Sequence, residues 1–216
     1  SGTVTVSGAD STWTNNGGLH IGGSSTAAGG RGGLTVQAGG TVSVTDMIEI
    51  WNSGTLTLDG GRVECQVFAN WDGGTFQFNS GTLAFLGDLT IRWANPFHAV
   101  GGDAISSGRS LEVAGTLHVG SKEPGVLEIV GGGHVSTTHA YVGPGTVTVD
   151  GAGSTWNNSG RLHLGGFGGS TLAVSGGASV VNDGGAAIGR LSSSTSTVTI
   201  AGPGSTWTNG SEIIVG

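Results

Sequence analysis

Gly145 to Gly165 reads GTVTVDGAGSTWNNSGRLHLG, and a close variant of this string occurs at each end of the chain. Gly2 to Gly22 reads GTVTVSGADSTWTNNGGLHIG, and from Thr197 the chain reads TVTIAGPGSTWTNGSEIIVG. Each copy holds an alternating strand (Thr146, Val147, Thr148, Val149), a glycine corner, a Ser-Thr-Trp strand, a polar corner and a short apolar strand ending in glycine. A unit of this length cannot bury its apolar face alone, so recurrence predicts coils stacked one on another. The expected fold class is therefore all-β, a β-solenoid.

Looser versions of the unit fill the space between the copies. A second coil runs as Leu34-Thr35-Val36, Gly39-Gly40, Val42-Ser43-Val44 and Ile48-Glu49-Ile50, and the next units begin at Thr55 (TLTLDGGRVECQV) and Thr75 (TFQFNSGTLAFLG). The offset of 75 − 55 = 20 residues suits one turn of about three short strands. Regularity resumes at Leu111-Glu112-Val113 and Leu117-His118-Val119, then continues from Val126 to Gly143 and from Thr171 to Gly189. This makes about nine coils and, at ~4.8 Å per strand, a stack on the order of 40 Å long. A single solenoid domain over residues 1–216 is expected, with a loop near 23–33 and an irregular excursion near 89–108. In that excursion Pro96 cannot donate to a sheet ladder.

Stacking is favoured over a sandwich because two-residue hairpin signals between paired strands are missing. Strands of three to five residues recur one coil apart, so like pairs with like in parallel. Valine and leucine ladders should then lie inside, with Thr, Ser and Asn outside and glycine at the bends. Trp13, Trp156 and Trp207 fall on the inward phase, each ring filling a corner. Val63, Cys65 and Val67 are spaced by two and should share a face, leaving Cys65, the sole cysteine, a buried and inert thiol.

Composition removes several function classes. The 216 residues include 46 glycines and only 10% charged residues, yet 36% are hydrophobic and regularly placed, which excludes both disorder and a collagen period. The net charge of −7, with scattered arginines, excludes a counterion-releasing nucleic-acid partner. No apolar run approaches the ~20 residues of a membrane span, so membrane insertion is not expected. The start at Ser1 is expected of a processed protein or a piece of a longer one.

The string G-[TS]-V-T-V-x-G-x-G-S-T-W-x-N-x-G-x-L-x-[IVL]-G, followed by L-[TA]-V and a Gly-Gly corner, resembles repeats in autotransporter-like passenger regions and other large secreted bacterial surface proteins. The close match covers Gly2 to Val44 and Val126 to Gly216, and Thr55 to Val119 keeps only the looser G-T-L pattern. The resemblance implies a right-handed parallel β-helix, export to the cell surface or beyond, and roles such as adhesion or matrix building. It supplies no catalytic residues, because the shared positions are structural.

Chemistry-bearing residues are sparse. β-Helical lyases and hydrolases need clustered carboxylates, whereas here Asp59, Asp72, Asp88, Asp150 and Asp183 stand singly beside glycines at corners. A polysaccharide-degrading enzyme is thus the third reading, with no catalytic or metal residues assigned and no cofactor. His20, His118 and His163 share one slot, occupied elsewhere by Glu49, Tyr141, Ala187 and Ile214, and should form an outward column. Imidazoles two coils apart lie roughly 10 Å from each other, too far to share a zinc ion. Asn157-Asn158-Ser159 matches the N-glycosylation pattern.

The two ends carry the main functional expectation. Neither shows a helical cap, and both are written as strands: Thr3, Val4, Thr5 and Val6 at one, Ile213, Ile214 and Val215 at the other. Open strands invite pairing. The expected partners are a second copy, joined head to tail in an extracellular filament or matrix fibre, or flanking repeats of a longer chain. The alternative is an adhesin that binds surface glycans through Trp51, Trp71 or Trp93, with His20, His118 and His163 as further lateral contacts.

Overall fold

The computed structural model describes residues 1–70, 73–92, 104–166, 168–189 and 194–216. Two compact units are present, one built from described residues of Ser1–Leu86 and the other from the described residues that follow Leu86. In both, every ladder is parallel, and among the described residues there is no helix. The chain is a parallel β-solenoid of about seven turns, close to the count expected from the repeats.

The first unit contains β1 (Gly2–Ser7), β2 (Thr12–Asn15), β3 (Leu19–Ile21), β4 (Gly32–Gln37), β5 (Thr41–Val44), β6 (Met47–Ile50), β7 (Gly54–Cys65), β8 (Val67–Ala69) and β9 (Thr75–Phe85). One face stacks β1, β4, β7 and β9, and Val4, Leu34, Leu56 and Phe76 follow one another in register. A second face joins β2, β5 and the far half of β7, and a third joins β3, β6 and β8. Strands β7 and β9 are longer than the three to five residues expected, because the ladder continues through the corner. Gly60, at a φ of 83°, turns the strand there without a Cβ to obstruct it.

The second unit contains β10 (Leu89–Ile91), β11 (Ala104–Ile105), β12 (Arg109–Val119), β13 (Gly125–Val130), β14 (His134–Val142), β15 (Gly145–Asp150), β16 (Thr155–Asn158), β17 (Leu162–Leu164), β18 (Ser170–Ser175), β19 (Ser179–Asn182), β20 (Ala186–Ile188), β21 (Ser196–Ile200), β22 (Thr206–Asn209) and β23 (Ile213–Val215). Its faces stack β11-β13-β15-β18-β21, β12-β14-β16-β19-β22 and β10-β12-β14-β17-β20-β23. Residues Gly125, Gly145, Ser170 and Ser196 follow each other at the head of the first face. A Cβ on Gly145 would stand 2.5 Å from the Gly125 carbonyl oxygen, so Gly145 itself leaves no room for a side chain, whereas Ser170 and Ser196 carry one at the same position of later coils.

The core follows the alternation. Ile48, Ile50, Leu56, Leu58 and Leu83 are fully buried in the first unit, and Leu111, Leu117, Ile129, Leu162, Leu164 and Leu172 in the second. Phe68, Phe76 and Phe78 adjoin in the first unit, with centroids 4.8 and 5.7 Å apart. Trp156 is fully buried, as its phase predicts, while Trp13 and Trp207 in the outermost coils are only half-buried.

Three expectations need correction. The alternation puts asparagine outside, yet Asn158 and Asn182 are buried, because Asn158 lies two residues after Trp156 and shares its inward phase. Val67 does not share the face of Val63 and Cys65; β7 ends at Cys65, Gln66 makes a bend, and Val67 emerges exposed. Cys65 itself is buried, and burial, then the neighbouring Glu64 charge, pushes its thiol up to about 12. Finally, the loop near 23–33 runs only to Arg31, since Gly32 already opens β4; a Gly23↔Ala28 bridge and a Gly29 N–H bond to Gly22 O tie it down.

Candidate functional site

The buried amides form one continuous feature. Thr137, Asn158, Asn182 and Asn209 succeed one another in register across β14, β16, β19 and β22. Thr137 Oγ1 donates to Asn158 Oδ1 at 2.9 Å, Asn158 Nδ2 to Asn182 Oδ1 at 2.5 Å, and Asn182 Nδ2 to Asn209 Oδ1 at 2.6 Å. Trp156 Nε1 donates to Thr137 Oγ1 at 3.3 Å, which joins the indole to the ladder. Buried polar groups are tolerated only when each finds a partner. A polar column inside an apolar stack therefore fixes how one coil sits on the next. The signal for it was in the sequence, in the spacing of Trp and Asn by two.

The outward histidine column is present within each unit. In the first, His20 pairs in register with Glu49, and His20 Nδ1 lies 2.8 Å from Glu49 Oε2. In the second, His118, Tyr141, His163, Ala187 and Ile214 follow in order. The His118 and Tyr141 rings stack at 5.4 Å with planes 13° apart, and Tyr141 meets His163 at 4.8 Å. A whole tyrosine ring thus separates the two imidazoles. Beside this column opens a cleft of about 1120 Å³, lined by His118, Tyr141, His163, Lys122, Pro144 and Ala187 among others. Tyr141 is exposed, and the sequence marks it only as an occupant of a slot that the histidines define.

Of the tryptophans proposed to touch glycans, Trp71 and Trp93 lie outside the described residues. Trp51 is half-buried, not free in solvent. Its ring lies so close to Gly23 that a Cβ there would collide with it, and its Nε1 is buried. Among the described residues no three His, Cys, Asp or Glu side chains converge as metal ligands would. The corner acids instead serve the stack: Asp150 Oδ1 accepts from Ser175 Oγ at 2.6 Å, Asp59 Oδ1 from Ser80 Oγ at 3.2 Å, and Asp88 Oδ1 from Thr116 N at 2.7 Å. At Glu64, burial pushes the carboxyl up, but hydrogen bonds from Ser43 and Arg62 and the Arg62 charge outweigh it, leaving the group below its ordinary value.

The end strands are the third feature. Thr3, Val4 and Thr5 are exposed and Val6 is buried; Ile213, Ile214 and Val215 are all exposed. Val4, Ile213 and Val215 hold slots that point inward in interior coils. Their exposures are 44%, 46% and 75%, against 0% at Leu162 and 1% at Leu164, the interior equivalents of Ile213 and Val215. These are open faces of a stack. The fold and these features define a β-solenoid repeat protein. Compared with family models, curated proteins and solved structures, the chain finds no match.

Proposed function

We propose that this chain is a structural protein of the cell surface or extracellular matrix, a β-solenoid subunit or segment whose open coils stack head to tail on further coils. Copies of the chain are the partner we favour; flanking repeats of a longer chain would use the same edges. The observation that carries this reading is the exposure of Val4, Ile213 and Val215 in slots that are otherwise core. Apolar side chains and unpaired strand edges on one surface favour strand addition. A contact between unlike ends propagates and does not close. Resemblance to exported passenger repeats supports the location, and the dispersal of the acids among structural bonds supports a non-catalytic role. Light scattering across a concentration series tests it. The wild type should grow in mass with concentration, while the pair Ile213→Lys and Val215→Lys should stay monomeric at an unchanged melting temperature. A wild type that remains monodisperse at all concentrations would refute copies of the chain as the partner.

The cleft beside Tyr141 favours a second reading, an adhesin that holds a surface glycan. Stacked rings carry hydrogen-bonding atoms on their edges, and Lys122 adds a cation at the rim. Here Tyr141→Ala should abolish glycan-array binding and leave assembly intact; an array with no signal for the wild type removes this reading.

A further inference from the structure

Head-to-tail stacking, if it is what the open coils do, leaves a choice of register, and the asparagine ladder makes that choice. We propose that copies join in one register only, with β22 of one copy against β2 of the next and Asn209 against Asn15, so that the buried amide column runs unbroken through the junction. The inference rests on the stacking reading and adds the identity and alignment of the surfaces.

The two strands are copies of each other. Both β2 and β22 read TWTN, with the same alternation of exposed threonine and half-buried Trp and Asn. Strand β2 pairs with β5 on one edge, and β22 pairs with β19 on one edge, so each has its other edge to offer. The flanking strands agree. By the repeat, Thr197-Val198-Thr199-Ile200 aligns with Thr3-Val4-Thr5-Val6, and Ile213-Ile214-Val215 with Leu19-His20-Ile21.

Hydrogen bonds at the last rung point the same way. Asn182 Nδ2 makes two bonds, one within its own corner to Gly184 O at 2.7 Å and one onward to Asn209 Oδ1 at 2.6 Å. Asn209 Nδ2 makes the corner bond to Ser211 O at 2.5 Å, but its second bond reaches Glu212 O at 3.2 Å. Asn15 is already turned into the same corner geometry, donating to Gly17 O and Gly18 O at 3.0 Å each. It meets an incoming Asn209 amide with its Oδ1, as Asn182 meets Asn158. A slip of one residue would face Asn209 with Thr14 or Asn16, both of the opposite phase, and exchange the two faces of the strand; a slip of two would face it with Trp13. Either would also bury an amide without its partner.

Two cysteine pairs test the register. Thr14 and Thr208 are exposed and become directly opposed in the proposed junction, at a strand spacing that suits a disulfide. Thr14 and Thr206 sit two residues out of register, at a diagonal distance beyond disulfide reach. Cys65 is buried with its thiol at about 12 and does not compete. Oxidised T14C/T208C should give a reducible ladder of multimers at least about tenfold stronger than T14C/T206C, and Asn209→Ala should weaken association about tenfold with little change in melting temperature. Multimers that cross-link equally through both pairs, or more through the second, would overturn the register and leave stacking standing. Absence of any association would overturn both.

Discussion

Val215 and Leu164 occupy the same place in two coils written with the same motif, yet Val215 is 75% exposed and Leu164 is 1% exposed. The contrast extends along both coils. Trp156 is fully buried where Trp207 is half-buried, and Leu162 is covered where Ile213 is open. Local sequence cannot explain this, because the strings are nearly the same. What differs is a neighbour on the second side. A coil in a solenoid supplies only half of its own core and half of its own hydrogen bonds, and position in the stack supplies the rest. The inner coil is a finished structure, and the outer coil is the same structure with one partner fewer.

Substitutions at matched slots can break or sharpen this comparison. The largest effect is expected at tryptophan. Trp156→Ala should cost about 3–5 kcal/mol in denaturant unfolding, and Trp207→Ala less than half as much; equal losses would mean that the end coil is as well packed as the interior. Glycine comes next. Gly145→Val drives a side chain into the Gly125 carbonyl and should cost about 1–3 kcal/mol, whereas no heavy atom lies within 4 Å of a Cβ on Gly2, so Gly2→Val should change stability by less than about 0.5 kcal/mol.

The amide ladder gives the next contrast. Asn158→Ala strands its buried partners Thr137 and Asn182 and should cost about 1–3 kcal/mol; Asn209→Ala, at the last rung, should cost visibly less in dilute protein. Smallest at neutral pH is Cys65. Its folded pKa is raised above the ordinary 9.0 to about 12, so the unfolded chain loses its proton first, and stability should fall as pH rises from about 9 towards 12. Urea unfolding of Cys65→Ala should show a flatter alkaline limb, with the offset between variants constant below pH 8.

The repeat made the architecture legible. Parallel in-register pairing, the Val and Leu ladders, the inward Trp156 and the outward column through His118 and His163 all follow from a period of two within strands and a recurrent unit between them. What escaped was set by corners and by partners. Asn158 looks polar and by composition belongs on the surface, though its phase is that of Trp156; only the partners on either side, Thr137 and Asn182, make its burial tolerable. Val67 kept the phase of Cys65 on paper, but the bend at Gln66 reset it. The cleft at Tyr141 is assembled from corners of separate coils, including the Ser121-Lys122 excursion, and no string marks such a meeting.

The central claim is that the open coils at the two ends are complementary halves of one interior contact. Cryo-electron microscopy of the concentrated wild-type protein, with its power spectrum, tests this most directly. Stacking predicts filaments with a meridional repeat at ~4.8 Å and unbroken strand density from the coil of Val215 into the coil of Val4 of the next copy. Isolated particles at every concentration, or side-by-side association with those two coils still open to solvent, would contradict it.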